Sequence, residues 1–289
     1  MSRIPVLISP EAGRGSTRRA AAEVLAALRA QGAEPVDVTG ASREASLAHL
    51  RQEVAAGCSR VVVVGGDGIV HLAVQAVAGT DTALGIIAAG TANDFSRAIF
   101  AQELGIDAAV TRALGDTRPL DAIRVNDRWV ASVATTGFSA AVNERANRMA
   151  RPRGQSRYTV ATVRELPRMR CVATTITVDG SSFHYQAGMV AVANTAWFGG
   201  GMEICPGADP TDGMLDVTVV ADVSRRELLW FLRLVFDGRH VTHPKVHTHR
   251  GQHIALQAEG LRLWGDGEPV GQGAVSLQLV PGALSVAGA

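Results

Sequence analysis

At 289 residues the chain approaches the limit of a single hydrophobic core, so two domains are the starting expectation. Its 47% hydrophobic and 19% charged content excludes a disordered chain, and a formal net charge of +1 excludes the global field that draws a protein to nucleic acid or to an acidic membrane. Cys58, Cys171 and Cys205 show no metal spacing, no apolar run reaches membrane-spanning length, and the stretch after Arg3 is too short for a signal peptide. The expectation is a cytoplasmic protein with buried free thiols.

Residues 4–8 read as a first strand. It ends in Ser9-Pro10-Glu11-Ala12-Gly13-Arg14-Gly15, a glycine-bearing loop without the lysine of a P-loop or the third glycine of a dinucleotide fingerprint. With no residue pair suited to hydride transfer either, an oxidoreductase is disfavoured. Ser16 is placed to cap a helix reaching Ala30, with Ala20, Val24, Ala27 and Leu28 on one face. A second strand over 35–38 leads to Thr39, and Ser42 caps a helix whose Leu47, Leu50 and Val54 face the sheet.

Two apolar runs follow, over 61–64 and 83–89, each short and aliphatic as buried parallel strands are. The first runs into Gly65-Gly66-Asp67-Gly68, the second into Gly90-Thr91-Ala92-Asn93-Asp94. Glycine lets backbone N–H groups approach an anion, and a following helix N-terminus adds a favourable dipole. Loops at the carboxyl ends of neighbouring strands face one crevice, where α/β sheets bind ligands. Asp67 would repel a phosphate unless a cation lay between them, which a nucleotide with Mg²⁺ supplies. One such turn alone is equally well a plain strand-to-helix connection; the pair points to a nucleotide site.

A helix over 107–114 precedes a strand over 119–125, which turns at Asn126-Asp127 into a strand over 129–135. The domain boundary is expected near Asp121, giving a first domain over 1–121 and a second over 122–274. Strands over 172–178, 186–194, 214–220, 254–257 and 261–264 predict an antiparallel sandwich. Helical patterns interrupt it over 139–149, continuing through 158–166, and over 224–236, where Ser224 and Glu227 form a capping box. A last strand begins at Val275, and the segment to residue 289 is expected to return to the first domain.

Three segments of this half carry candidate chemistry. Asn194 leads through Trp197 to Gly199-Gly200-Gly201, which allows close backbone approach or makes a mobile loop. Pro206–Asp216 alternates acidic residues with turn formers, either a plain acidic turn or a set of hard oxygen ligands for Mg²⁺ or Ca²⁺. Gly265-Asp266-Gly267-Glu268 places two carboxylates on a glycine turn, either a bare hairpin turn or a pair that holds a metal water and accepts a proton. His240, His243, His247, His249 and His253 match no zinc spacing and read as solvated loop and strand residues. The arginines from Arg145 to Arg170 are either a charged helix face or a patch that attracts anionic head groups.

Together GGDG over 65–68, GTANDFSR over 90–97, the GGG segment, Pro206–Asp216 and Asp266-Gly267-Glu268 resemble the catalytic domain of the diacylglycerol kinase family, bacterial lipid kinases similar to sphingosine kinases. More distantly, GGDG resembles the loop of NAD kinases and phosphofructokinases. The resemblance implies an α/β N-terminal domain with a parallel sheet, an antiparallel β-sandwich C-terminal domain, and an ATP cleft between them. It implies ATP contacts at Ser9, Pro10, Glu11, Ala12, Gly13, Thr39, Gly65, Gly66, Asp67, Gly68, Gly90, Thr91 and Asn93. It implies that Asp67, Asp94 and Asp266 organise catalytic Mg²⁺, with Asp121 behind them, and that Glu268 is the general base. Asp209, Asp212 and the Met214 carbonyl would hold a structural Mg²⁺, with Asp216 a weaker candidate. The acceptor would be a diacylglycerol-like lipid at a membrane surface, visited reversibly, its acyl chains in the apolar interior of the second domain; a homodimer stays open. Ser9, Ile69, His71 and Leu72 depart from the family pattern. Two rivals are a lipid-binding regulator with weakened catalysis and a kinase of NAD or a sugar phosphate.

Overall fold

Strands built from contiguous Val, Ile and Leu bury both faces, and those of the N-terminal half do so. The computed structural model describes residues 2–9, 16–100, 102, 104–149, 151 and 155–289. Within them the chain divides into two units, 1–121 with 281–289, and 122–280.

The N-terminal unit contains β1 (Ser2–Ile8), α1 (Ser16–Ala30), β2 (Ala33–Asp37), α2 (Arg43–Ala55), β3 (Arg60–Gly65), α3 (Asp67–Val77), β4 (Ala83–Ala88), α4 (Asp94–Ile99) and α5 (Ile106–Leu114). Its sheet is parallel in the order β2-β1-β3-β4. Val61, Val62, Val63 and Val64 are fully buried, as are Leu84 and Ile86, and removing such a side chain costs about 2–5 kcal/mol. Ser42 caps α2 by accepting from Ala45 N, and α3 is buried along its length from Ile69 to Val77. Apart from His71 and Gln75 that buried stretch is apolar, as befits an interior helix. β5 (Thr117–Val125) leaves this unit, and β17 (Val275–Ala287) enters it to pair in parallel with β4 at Ser285 and Val286.

The C-terminal unit is antiparallel. It comprises β6 (Arg128–Val130), β7 (Val133–Gly137), α6 (Phe138–Arg148), α7 (Gln155–Glu165), β8 (Val172–Val178), β9 (Ser181–Ala193), β10 (Trp197–Phe198), β11 (Met202–Glu203) and β12 (Leu215–Ala221). It continues through α8 (Arg225–Leu234), β13 (Val246–Gly251), β14 (His253–Ala258), β15 (Arg262–Gly265) and β16 (Glu268–Gln272). Strand β9 is the hub, pairing with β7, β8 and β12. The N-terminal α/β parallel sheet and the C-terminal antiparallel unit are the fold class read from the sequence.

Four local readings change. The strand expected over 129–135 is two strands, broken at Ala131-Ser132. The helical pattern expected to run on from 139 to 166 is two helices, α6 and α7. The polar segment around His247 and His249 is strand β13, paired with β12. Gly199, Gly200 and Gly201, all at positive φ, close the hairpin β10–β11 rather than a loose loop, with Phe198 paired to Met202. Among the described residues no helix is long and apolar enough to cross a membrane.

Candidate active site

In the N-terminal unit the two glycine turns meet. α3 begins at Asp67 itself, so Gly66 alone lies between β3 and the helix. A Cβ on Gly90 would lie 2.4 Å from Gly66 Cα, and one on Gly66 would lie 3.0 Å from Gly90 Cα. Only glycine permits that approach. Asn93, in the left-handed region at φ 54, ties its own turn: its Oδ1 accepts from Gly90 N at 3.1 Å and its Nδ2 donates to Gly90 O at 3.0 Å. Asp67 Oδ1 accepts from Phe95 N at 3.1 Å, which fastens the start of α3 to α4. Thr91 is exposed at the tip of the second turn.

Other expected nucleotide contacts gather at the same strand ends. Ser9 N donates to Val64 O at 3.0 Å. The Thr39 hydroxyl accepts from Ile8 N at 2.9 Å and donates to Ile8 O at 3.3 Å, so it extends the edge of β1. Pro10, Glu11, Ala12 and Gly13 lie outside the described residues. Asp94 is buried, with Arg97 Nη1 at 3.9 Å, and Asp121 Oδ1 accepts from Gly282 N at 2.9 Å. Of the departures, Ile69, His71 and Leu72 are buried on α3, and Ile69 fills the space beside Gly65. The sequence reading missed Arg43: its Nη1 lies 3.7 Å from where a Cβ on Gly68 would stand, which puts a cation beside the turn. Its signal was a lone arginine after a cap, which nothing local ties to a loop two dozen residues on. A cavity of about 400 Å³ adjoins Gly90 and Asn93, walled by Val64, Ile87, Phe100 and Ile106. The Arg112 guanidinium, which burial pushes below its ordinary pKa, stacks 3.5 Å over the Phe100 ring at its edge.

In the C-terminal unit Asp266 and Gly267 form a two-residue turn at φ 50 and φ 84, with Gly265 paired to Glu268 across it. The Asp266 carboxylate accepts from Ala131 N at 2.8 Å and from Ser132 N at 2.9 Å. Asp266 N donates to Val133 O at 3.1 Å. Asn194, fully buried, donates from Nδ2 to Ala131 O at 2.9 Å and from its main chain to Ser132 O at 2.8 Å. This explains the break between β6 and β7: the N–H groups of Ala131 and Ser132 and the Ala131 carbonyl turn to the side chains of Asp266 and Asn194 instead of a strand. Asp266 thus anchors the turn that presents Glu268, and Glu268 is half-buried at the head of β16.

The acidic turn is arranged differently from a metal cage. Asp209 Oδ1 accepts from Thr211 N at 2.9 Å and from Thr211 Oγ1 at 2.7 Å, and Asp212 Oδ1 accepts from Met214 N at 2.9 Å. Arg250 forms ion pairs with Asp212 and, at 3.2 Å, with Asp216. Burial pushes the Asp216 carboxyl up while Arg250 pulls it down. Among the described residues no group of three or more His, Cys, Asp and Glu comes together to hold a metal ion. Asp209, Asp212 and Met214, the structural Mg²⁺ set of the resemblance, share this turn, with the Arg250 guanidinium paired to Asp212. The histidines are not all solvated: His240 is buried with Nε2 at 3.0 Å from Ile204 O, and burial holds its pKa below the ordinary value. The cysteines are unpaired, but only Cys205 of the three is buried, with its thiol pushed up to about 12 by burial. A hollow of about 230 Å³ lies among Thr136, Ala140, Val172, Met189 and Leu261; it is smaller than the roughly 300–1,000 Å³ of most small-molecule pockets.

Comparison with known proteins matches residues 3–125 to the family described as the diacylglycerol kinase catalytic domain. It matches residues 132–288 to the YegS C-terminal NAD kinase beta sandwich-like domain. A diacylglycerol kinase of Mycobacterium tuberculosis is 35% identical over 99% of this chain and 95% of its own length. The chain belongs to the diacylglycerol kinase family. A Bacillus subtilis diacylglycerol kinase is 26% identical over 93% of this chain and 90% of its own. A probable YegS-like lipid kinase of Pseudomonas savastanoi is 29% identical over 81% of this chain and 77% of its own. The fold matches a putative diacylglycerol kinase from Bacillus anthracis at a TM-score of 0.81 and 20% identity, covering 99% of this chain and 97% of that one. Membership of this family makes the protein a lipid-kinase-type phosphotransferase, and kinases of this family imply ATP as donor.

Proposed function

We propose that the protein transfers the γ-phosphate of ATP to the hydroxyl of a diacylglycerol-like lipid. The observation that carries this reading is the contact of the Gly66 and Gly90 turns, fastened by Asp67 and Asn93. Such a frame offers main-chain N–H groups and the start of the eleven-residue helix α3 to an anion. ATP enters as its magnesium complex, so the metal arrives as part of the substrate beside Asp67 and Asp94. Gly65, Gly66, Gly68, Gly90, Thr91 and Asn93 receive the phosphates, with Ser9 and Thr39 at the neighbouring strand ends and Arg43 as an added cation. The apolar walls of the cavity beside Gly90 suit the adenosine part.

Glu268 takes the proton as the lipid oxygen bonds to the γ-phosphorus. The bond from that phosphorus to the β,γ-bridging oxygen breaks, and ADP leaves. Phosphoryl transfer is mainly positioning and charge neutralisation, so no covalent nucleophile is needed. Asp266 acts as a positioning residue, holding Glu268 through the Ala131-Ser132 turn. The setting is cytoplasmic, with reversible visits to a membrane surface.

The test is ³²P transfer from ATP to diacylglycerol, a sphingoid base, phosphatidylglycerol and NAD. Transfer to diacylglycerol in mixed micelles is expected. Transfer to NAD in plain buffer and to no lipid would overturn the reading.

A further inference from the structure

We propose that α8 seats the protein on an anionic lipid bilayer. The inference rests on the lipid-acceptor reading for its purpose, and on α8 for its evidence. The helix is RRELLWFLRL, and only Leu228 and Phe231 of it are buried. Leu229 is 47% exposed and Trp230 50%, and Phe236 just beyond the helix is 52% exposed. Large apolar side chains so exposed in one segment call for a partner. At 100° per residue Arg225, Leu229, Arg233 and Phe236 form one stripe, and Arg226 and Trp230 lie beside it. The outward face therefore interleaves three apolar side chains with three arginines.

The charges choose the occupant. That face of the helix carries no carboxylate. Glu227 lies off it, held by Lys245 Nζ at 2.7 Å and by the Ser224 N–H in the capping box. Asp222 and Asp237 flank the two ends. Next to the helix start, Arg170, Arg225 and Arg226 rim an open depression floored by Met169, Cys171 and Val223. A protein partner would match three arginines with three carboxylates at fixed places. A bilayer with anionic head groups matches them anywhere, while Trp, Leu and Phe enter the interfacial zone where an amphipathic ring is most stable. By contrast, Arg145 and Arg148 in the arginine-rich segment are paired with Glu165 and Glu144.

The test is sedimentation of the full chain with phosphatidylcholine vesicles, with and without phosphatidylglycerol, together with Trp fluorescence. Trp129 and Trp264 are buried and Trp197 is partly so, which makes Trp230 the reporter; W230F removes its signal. Binding only to the anionic vesicles is expected, with quenching by brominated acyl chains that W230F abolishes. R225Q/R226Q/R233Q should weaken binding about five-fold per arginine. L229S/W230S/F236S should weaken it on the order of a hundred-fold. Both should keep the wild-type melting temperature and the same transfer to a short-chain, water-soluble diacyl acceptor. Vesicle binding unchanged in both variants would overturn the proposal. So would a wild-type dimer in sedimentation velocity that L229S/W230S/F236S converts to monomer, since the face would then be a protein interface. Loss of transfer to every lipid with α8-dependent vesicle binding intact would remove the acceptor reading and leave the docking surface standing.

Discussion

Gly66 and Gly90 touch main chain to main chain: a Cβ on Gly90 would stand 2.4 Å from the Gly66 Cα. The two turns are therefore one rigid object. Gly90→Ala has to push them apart, and a displacement near 1 Å at a phosphoryl-transfer site costs about a hundred-fold in rate. Gly66→Ala, whose Cβ would meet Gly90 Cα at 3.0 Å, should cost less. Steady-state kinetics with ATP varied, alongside calorimetric nucleotide binding, checks the order.

Asp266 predicts a loss of stability and of rate from one anchored turn. Both of its oxygens accept from main-chain N–H groups, at Ala131 and Ser132. In Asp266→Asn one oxygen becomes an NH₂ facing a donor. The variant should lose about 1–3 kcal/mol of stability, read by urea titration, and kcat should fall because the turn that holds Glu268 loosens. An unchanged stability would contradict the anchoring role.

Arg250 predicts how the acidic turn responds to metal. Because its guanidinium already neutralises Asp212 and Asp216, the wild-type melting temperature should be indifferent to chelator and to added Mg²⁺. Arg250→Ala leaves the half-buried Asp216 without its cation and should cost about 1–2 kcal/mol. A wild-type melting temperature that falls in chelator would return the turn to a metal.

Glu227 predicts an acid dependence. Lys245, and then the Ser224 N–H, lower its carboxyl from the ordinary 4.5 to about 2. A carboxyl held low in the folded state stabilises above its unfolded value and loses that contribution as pH falls through the folded one. Wild type should therefore be more stable than Glu227→Gln above pH 4.5, with the gap closing toward pH 2. The pair is exposed, so salt near 1 M, where screening acts within about 3 Å, should shrink the gap. Thermal melts across that pH range decide it.

The parts of the fold that were legible rest on local chemistry. The valines at 61–64 and the Ser224–Glu227 capping box speak through neighbours a few residues away. The break at Ala131-Ser132 does not, since its causes, Asn194 and Asp266, are brought there by the sheet. β13 hides because His247, His249 and Arg250 look like a loop and neither strand face, Val246-Thr248-Arg250 or His247-His249-Gly251, is uniformly apolar. At the site, the glycine turns were readable from composition, but the start of α3 at Asp67 and the nearness of Arg43 to Gly68 depend on packing between helices. The ion pair of the acidic turn with Arg250 was not legible, because that arginine sits on a strand well downstream.

In the proposed reaction Glu268 accepts the proton of a lipid hydroxyl during transfer from ATP. The most direct measurement compares wild type with Glu268→Gln in mixed micelles of diacylglycerol, following kcat and KM for both substrates. Losing a positioned general base removes about 10²–10⁴ of rate. A fall of that size in kcat is expected, with ATP affinity and melting temperature unchanged. Equal kcat in the two proteins would contradict it.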